Sequence, residues 1–526
     1  VPPRWLFAVL LTAIVVHAVD LYQFEGFGFD KVNHVTATRS WLDGRGFTIS
    51  DVAPSGPPDT VRRPLLGFLP GYAFALAPLM LLTHDVWWST YALDVFAQSL
   101  FLIAWAGLLR AATGSWSAAA PLLIIWTVLY SPAAGGTYSD LLALSVFTAA
   151  VAAAAVAVSE RPGLAWSGGV VSAACMSCAC AVRYAYWPLI VVVPVALVIT
   201  RRDVTGWALS FIHAIAAVGM SLAMAIFMQR TTGEAVFLTR WYPAASRGMY
   251  WSHLWMLNPF PADALGINRV YALVAKDDAV LLNLTPEILW VLSALCVAVA
   301  AAYLANRARS WIAGELDSCE TFFVAAGIMT CAVTVAMNVW LTLRLPAVSD
   351  GWTVGAESRY YLPTLPFLGA TVWLVARNGA LRLPRTRRLA VALLIGAMTV
   401  TVPVRLVRLK RYFAKNIDSA WMSRGRRTQA DRIFAAIRAV DGGGPPPLFI
   451  DESLKWRRYV ATMGGALVID RAVLNACAGD GTNLQFLITE PVASVGRLSG
   501  TPVGRVEDVE IVSVAGSPCA LIATGR

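Results

Sequence analysis

The sequence predicts an α-helical polytopic membrane protein, with about eleven spans and one re-entrant or interfacial segment, followed by a small C-terminal α/β soluble domain. Three observations carry that reading. Hydrophobic residues fill 57% of the 526 positions, charged residues only 14%, and the mean hydropathy is +0.61, a balance unusual for a soluble chain of this length. Apolar runs of about 18 to 25 residues recur through positions 1–404, each long enough to cross roughly 30 Å of hydrocarbon. Past residue 405 the pattern changes to short apolar runs separated by Gly, Pro and Asp, as in small α/β domains.

The apolar segments lie at about 4–20, 65–83, 86–110, 116–133, 139–158, 163–182, 185–200, 204–228, 286–305, 320–343, 360–376 and 388–404. The first, with Arg4 before it and no small-residue cleavage site ahead of Asp20, reads as a span rather than a removed signal. Segment 65–83 contains Pro70, Gly71 and Pro78 and follows Arg62 and Arg63, features of a dipping or interfacial helix. For the others, loop charge sets orientation. Arg110, Arg161, Arg201 with Arg202, Arg307 with Arg309, and the cluster from Arg377 to Arg388 belong on the cytoplasmic side. Residues 21–64, 134–138, 229–285, 344–359 and the tail then fall outside. An inside tail is the alternative, because Arg405, Arg408, Lys410, Arg411 and Lys415 make the far flank of the last segment basic too.

In the tail, residues 417–440 read as an amphipathic helix ending at Gly442–Gly444, and LFI, ALVI, QFLIT, VEIVSV and CALIA as strands. Its two cysteines, Cys477 and Cys519, are expected to pair if the tail faces an oxidising compartment. The triplet Cys175, Cys178 and Cys180 has Ala, Met and Ser neighbours without His or carboxylate, so it reads as small residues packing a helix, not a metal site. The formal charge of +10 is scattered over short loops, which argues for topology and against nucleic acid.

The candidate site follows from where the rare ionisable groups fall. Asp20, Glu25 and Asp30 follow the first span, Asp140 begins the segment 139–158, Arg183 ends 163–182, and Arg359 begins 360–376. Ionisable groups this close to hydrocarbon are costly unless paired or facing water, so their grouping on one side predicts a polar cavity opening outward. A carboxylate there can deprotonate an alcohol while guanidinium groups hold a phosphate, which is the equipment of group transfer. The chain has no P-loop, no GxGxxG opening a helix and no DxD, so a lipid-phosphate sugar is the economical donor, with no metal or cofactor expected.

Four stretches carry a family resemblance. FGFDKVNHVTATRSWLDGRGF resembles the first outer loop of GT-C superfamily membrane glycosyltransferases, with its acidic residue before an aromatic and basic helix that ends in a Leu-x-x-Gly-x-Gly turn. CACAVRYAYWPLIVVVPVAL, ESRYYLPTLPFL and SPAAGGTYSD resemble, in order, later landmarks of the same superfamily. The resemblance covers about 400 residues and implies inverting transfer from a polyprenyl-phosphate sugar to a glycan, lipid or protein hydroxyl, at the outer face of the cell membrane in the cell envelope. On it Asp30 takes the place of the catalytic carboxylate; Phe29 and Lys31 flank it where the family often has a second acid or a tyrosine, which leaves Asp20 and Glu25 as substitutes. Arg183 and Arg359, with Arg62 or Arg63, would bind the phosphate, and Tyr360 and Asp140 sit beside them in the matching motifs.

Trp251 and His253, in the aromatic loop 229–285, are candidates for stacking on sugar or anchoring at the membrane interface. His34, one turn past Asp30, reads as a surface histidine that is placed to tune it, and Asp94, one turn from Gln98, as lining a donor groove or making a buried hydrogen bond. A flippase of lipid-linked glycans, or a non-catalytic partner keeping the same membrane fold, would show many of these features.

The topology is testable by single-cysteine labelling. Ser55 and Ser246 are expected to label from outside and Ser310 only after permeabilisation; labelling of Ser55 from the cytoplasm would break up the grouping of acids and arginines.

Overall fold

The computed structural model describes residues 3–24, 29–44, 46–49, 63–65, 68–116, 119–120, 122–123, 126, 138–158, 162–232, 302–344, 347–349, 352–353, 358–371 and 374, and, in the tail, 431–437, 439, 448–451, 467–469, 484–489, 500–506 and 509–515. Two units emerge. One comprises Val1–Leu21 and Asp94–Tyr412, the other Tyr22–Leu93 and Phe413–Arg526.

Among the described residues, the helices up to residue 344 include, in chain order, α1 (Arg4–Phe24), α2 (Phe29–Leu42), α3 (Gly71–Thr83), α4 (Val86–Thr113), α5 (Tyr138–Ala157), α6 (Pro162–Val182), α7 (Val192–Thr200), α8 (Val204–Thr232), α9 (302–312) and α10 (Ser318–Arg344). Five of them, α4, α5, α6, α8 and α10, are long and apolar enough to cross a membrane. The predicted segment 185–200 is a short apolar helical run, Tyr184–Thr200, but not regular α-helix throughout. It runs as 3-10 turns at Tyr184–Tyr186 and Pro188–Val191, the second opened by Pro188, followed by the nine-residue α7, whose first turn holds Pro194. Likewise the start of segment 360–376 is a 3-10 turn, Ser358–Thr364, with Pro363 inside it, and among the described residues α-helix follows over 365–371 and at 374.

Small residues let the helices of the first unit approach closely. A Cβ on Gly168 of α6 would meet the Ala153 carbonyl of α5 at 2.7 Å, and one on Gly369 would meet the Trp105 ring of α4 at 2.8 Å. At one end of this layer Arg201 donates to the Ala157 carbonyl at the end of α5 (3.2 Å) and pairs with Asp203 (3.0 Å), which caps α8 through the Gly206 N–H (2.8 Å). That N–H above all, with Arg201, holds the Asp203 carboxyl below the usual carboxylate range. Arg307 pairs with Glu320 nearby in sequence, at 3.3 Å. Two of the loop arginines that set the predicted orientation, Arg201 and Arg307, are thus paired with nearby carboxylates.

In the second unit α2 is buried along most of its length against α3 and a two-residue hairpin, β1 (Thr48–Ile49) with β2 (Arg63–Pro64). It stops where the sequence expects, because Gly44 and Gly46 adopt φ of +73° and +76°, a conformation that favours glycine. His34 is not a surface histidine: it is fully buried, its ring centroid 4.9 Å from both Phe68 and Tyr72. Tyr72 of α3 and Phe68 of the segment before it lie against its ring. Helix α3 itself has 13 residues and is about 20 Å long, short of the ~30 Å hydrocarbon core.

The tail holds a five-stranded mixed sheet in the order β6-β5-β7-β9-β8: β5 (Leu448–Asp451), β6 (Leu467–Ile469), β7 (Leu484–Thr489), β8 (Gly500–Val506) and β9 (Val509–Ala515). A separate two-residue hairpin, β3 (Ala347–Ser349) with β4 (Trp352–Thr353), follows α10. In the sheet β5 pairs in parallel with β6 and β7, while β9 runs antiparallel to β7 and β8. Four of the predicted strands are here. Strand β8 was not predicted, since Gly500, Pro502 and Gly504 read as a turn; it lies at the sheet edge, where proline is tolerated, with a register shift between Pro502 and Gly504. Residues 417–430, Cys477, Cys519 and the CALIA run lie outside the described residues.

Candidate functional site

Helix α6 ends at Val182, and Arg183 leaves it in an extended conformation, φ −144° and ψ 132°. The next residues fold back on the helix end. Trp187 Nε1 donates to the Cys180 carbonyl (2.8 Å), the Cys180 thiol lies 3.8 Å from the Tyr186 carbonyl, and the Tyr186 ring packs 5.5 Å from Phe147 of α5. These contacts satisfy the carbonyl that the helix end leaves without an intrahelical partner and fix the direction in which Arg183 emerges.

It emerges onto Asp140. The guanidinium Nη2 lies 2.5 Å from the Asp140 carboxylate, and the two side chains are only 8% and 6% exposed. Asp140 stands in the first turn of α5, where the helix dipole favours an anion. Two residues proposed separately from sequence are therefore one buried ion pair, and Arg183 is held by a protein carboxylate instead of standing free in an open cavity. Removing one partner of such a pair costs about 3–5 kcal/mol, because the survivor is left charged and buried.

The 3-10 turn Ser358–Thr364, which carries Arg359 and the half-buried Tyr360, packs against α10 and touches α5. Cys319 at the start of α10 lies beside the Ala155 carbonyl near the far end of α5, so the late part of α10 and this turn lie at the Asp140 end. Asp140, Arg183 and the turn that carries Tyr360 thus lie at one end of the helix layer. Asn338 of α10 donates to the Thr334 carbonyl (2.9 Å) and lies 3.4 Å from the Tyr360 carbonyl. Sequence reasoning passed over it, although Thr330, Thr334, Asn338 and Thr342 recur every fourth residue in an apolar run, the signal of a polar stripe.

In the second unit, Asp30 occupies the first turn of the packed helix α2, and Arg63 lies in β2. Lys31, next to Asp30, is fully buried. Asp20 lies in α1 and Asp94 is fully buried in α4, with Gln98 one turn on. Glu25, Arg62, Trp251 and His253 lie outside the described residues. Of the cysteine triplet, Cys180 is buried, Cys175 half-buried and Cys178 exposed, so the helix-packing reading holds for the first two only. Among the described residues no group of three or more His, Cys, Asp or Glu is placed to hold a metal ion.

No family model and no curated protein matches the chain. Solved structures do. The crystal structure of ArnT from Cupriavidus metallidurans bound to undecaprenyl phosphate is similar with a TM-score of 0.52 and 14% identity, over 98% of this chain and 98% of that one. The apo state of the same protein is similar with a TM-score of 0.54 and 14% identity, over 98% and 99%. The chain thus shares the overall fold of these structures over nearly its whole length.

The ion pair makes a testable prediction. Asp140→Leu and Arg183→Met are each expected to destabilise the protein by about 3–5 kcal/mol, and the double variant to melt above either single one in detergent. A double variant that melts below both would show that the two groups are not mutually compensating.

Proposed function

We propose that this protein is an inverting glycosyltransferase that moves a sugar from a polyprenyl-phosphate donor to an acceptor hydroxyl at the extracytoplasmic face of the membrane. The observation that carries the reading is the shared fold, over nearly the full length of both chains, with a protein crystallised with undecaprenyl phosphate. The buried Asp140–Arg183 pair supports it, since a guanidinium fixed at the end of a transmembrane helix layer is suited to a lipid phosphate.

In this reading Asp30 removes the proton from the acceptor hydroxyl. The oxygen attacks the anomeric carbon opposite the phosphate, the C–O bond to phosphate breaks, and the lipid phosphate leaves with the bonding pair. Its added charge is stabilised by Arg183 and Arg359, with Arg62 or, from β2, Arg63 contributing. Placing the base on α2 has a physical advantage. That helix is packed on nearly all sides, so a group in its first turn is held by the scaffold and not by a loop. Tyr360, next to Arg359, and Trp251 and His253 of the long loop would meet the sugar or the acceptor.

Purified protein given a polyprenyl-phosphate sugar tests the reading directly. Asp30→Asn is expected to lower turnover by about 10²- to 10⁴-fold while donor binding stays nearly intact. Activity within about threefold of wild type, well below that general-base effect, would remove Asp30 from the role and put Asp20 and Glu25 next. Absence of turnover by the wild type with any lipid-phosphate sugar would favour the flippase or the non-catalytic partner.

A further inference from the structure

The 3-10 turn Ser358–Thr364 has a chemical problem written into its sequence. In the 3-10 pattern the carbonyl of residue 360 accepts from the N–H of residue 363, and residue 363 is proline, which has none. Side chains meet the carbonyls of this proline-rich stretch instead. The Thr364 hydroxyl donates to the Tyr361 carbonyl (2.7 Å), Trp105 Nε1 to the Pro366 carbonyl (2.8 Å), and Asn338 Nδ2 approaches the Tyr360 carbonyl at 3.4 Å. Gly369 supplies the space that lets the Trp105 ring lie against this segment.

Asn338 is an unusual choice for its place. It is fully buried in a helix long and apolar enough to span the membrane, and its amide nitrogen faces two carbonyls, Thr334 and Tyr360, which of the two ends of its amide only the NH2 can satisfy. Its own Oδ1 is buried with no hydrogen-bond partner among the described residues. Burying that oxygen is costly, so stability alone does not account for an asparagine where leucine would pack. Its contact runs to the residue next to Arg359.

We infer that Asn338 is a positioning residue for the donor phosphate: by holding the Tyr360 carbonyl to α10 it fixes the turn that presents Arg359. This rests on the reading of Arg359 as a phosphate ligand. The residue touches no substrate; it acts through the backbone of the turn.

Undecaprenyl phosphate binding to the purified full-length chain in detergent tests this, with four variants: Asn338→Leu, Asn338→Ala, Arg359→Ala and the double Asn338→Leu/Arg359→Ala. Thr342→Val, one turn further along α10, serves as a control. Asn338→Leu and Asn338→Ala are expected to weaken binding by about 3- to 10-fold, the range of one lost hydrogen bond, with Thr342→Val binding as wild type. In the Arg359→Ala background Asn338→Leu is expected to add nothing, because its effect passes through Arg359; a general structural role would add in full. Undiminished binding by both Asn338 variants, or full additivity, overturns the inference while leaving Arg359 in its role. Wild-type binding by Arg359→Ala overturns the phosphate role of Arg359 and the inference with it.

Discussion

The ion pair between Asp140 and Arg183 is the constraint around which the described end of the membrane module is built. A guanidinium and a carboxylate at 2.5 Å, both nearly excluded from solvent, demand that the start of α5 and the end of α6 stay in register. That register is what the rest of the region supplies. The backbone leaves the helix at Arg183, Trp187 folds back to cap Cys180, and Tyr186 packs on Phe147, so the arginine has one direction open to it. Close approach of α5 and α6 at Gly168 keeps the two helices adjacent farther along. The pair is weak evidence for stability as such, since apolar residues in its place could serve as well; what it specifies is where a positive charge stands at the end of an apolar layer.

Much of this was legible in the sequence. The apolar runs located five long helices to within a few residues at most ends, because hydrocarbon length and helical rise leave little freedom. Asp140 and Arg183 stood out individually as ionisable groups at helix ends. Their pairing was not legible, since it depends on how two helices pack, and nothing in either segment names its partner. The 3-10 turns at Tyr184–Val191 and Ser358–Thr364 were hidden for a related reason: hydropathy averages over Pro188 and Pro363 as if they continued the run. His34 was misread because a polar residue on a mostly polar helix looks solvated until the aromatic rings of Phe68 and Tyr72 are placed beside it. Strand β8 was lost to its own glycines and proline, which mean turn in isolation and edge strand in a sheet.

The prolines that broke the periodicity connect fold to function. In a spanning segment every backbone carbonyl needs a donor, and a proline withdraws one from the helix that contains it. The stretch from Ser358 to Gly369 carries two, Pro363 and Pro366, and donors reach it from α4 and α10 as well as from its own Thr364. Each borrowed donor ties the turn to a neighbouring helix. A segment that would be loosely held if it were only an irregular helix start becomes fixed from two sides. Arg359 and Tyr360 lie on it, so the same prolines that spoil the regular hydrogen bonding also determine which neighbours hold the pair in place.

Arg183 and Arg359 are therefore presented in different ways. Arg183 is fixed by opposite charge, and Arg359 stands on a turn fixed through neutral hydrogen bonds to its backbone. The difference matters for binding an anion. A carboxylate in contact with a guanidinium offsets part of its charge and lowers its attraction for a phosphate, whereas a backbone-held turn leaves the charge of its side chain undiminished by the holding contact. The proposed donor site, which would hold a lipid phosphate and later release it, needs attraction that is strong but limited. Under the proposed function, pairing one arginine to a carboxylate while anchoring the turn of the other through neutral groups would divide the work accordingly: Arg183 would contribute a fixed position with a tempered field, Arg359 the larger share of the electrostatic attraction.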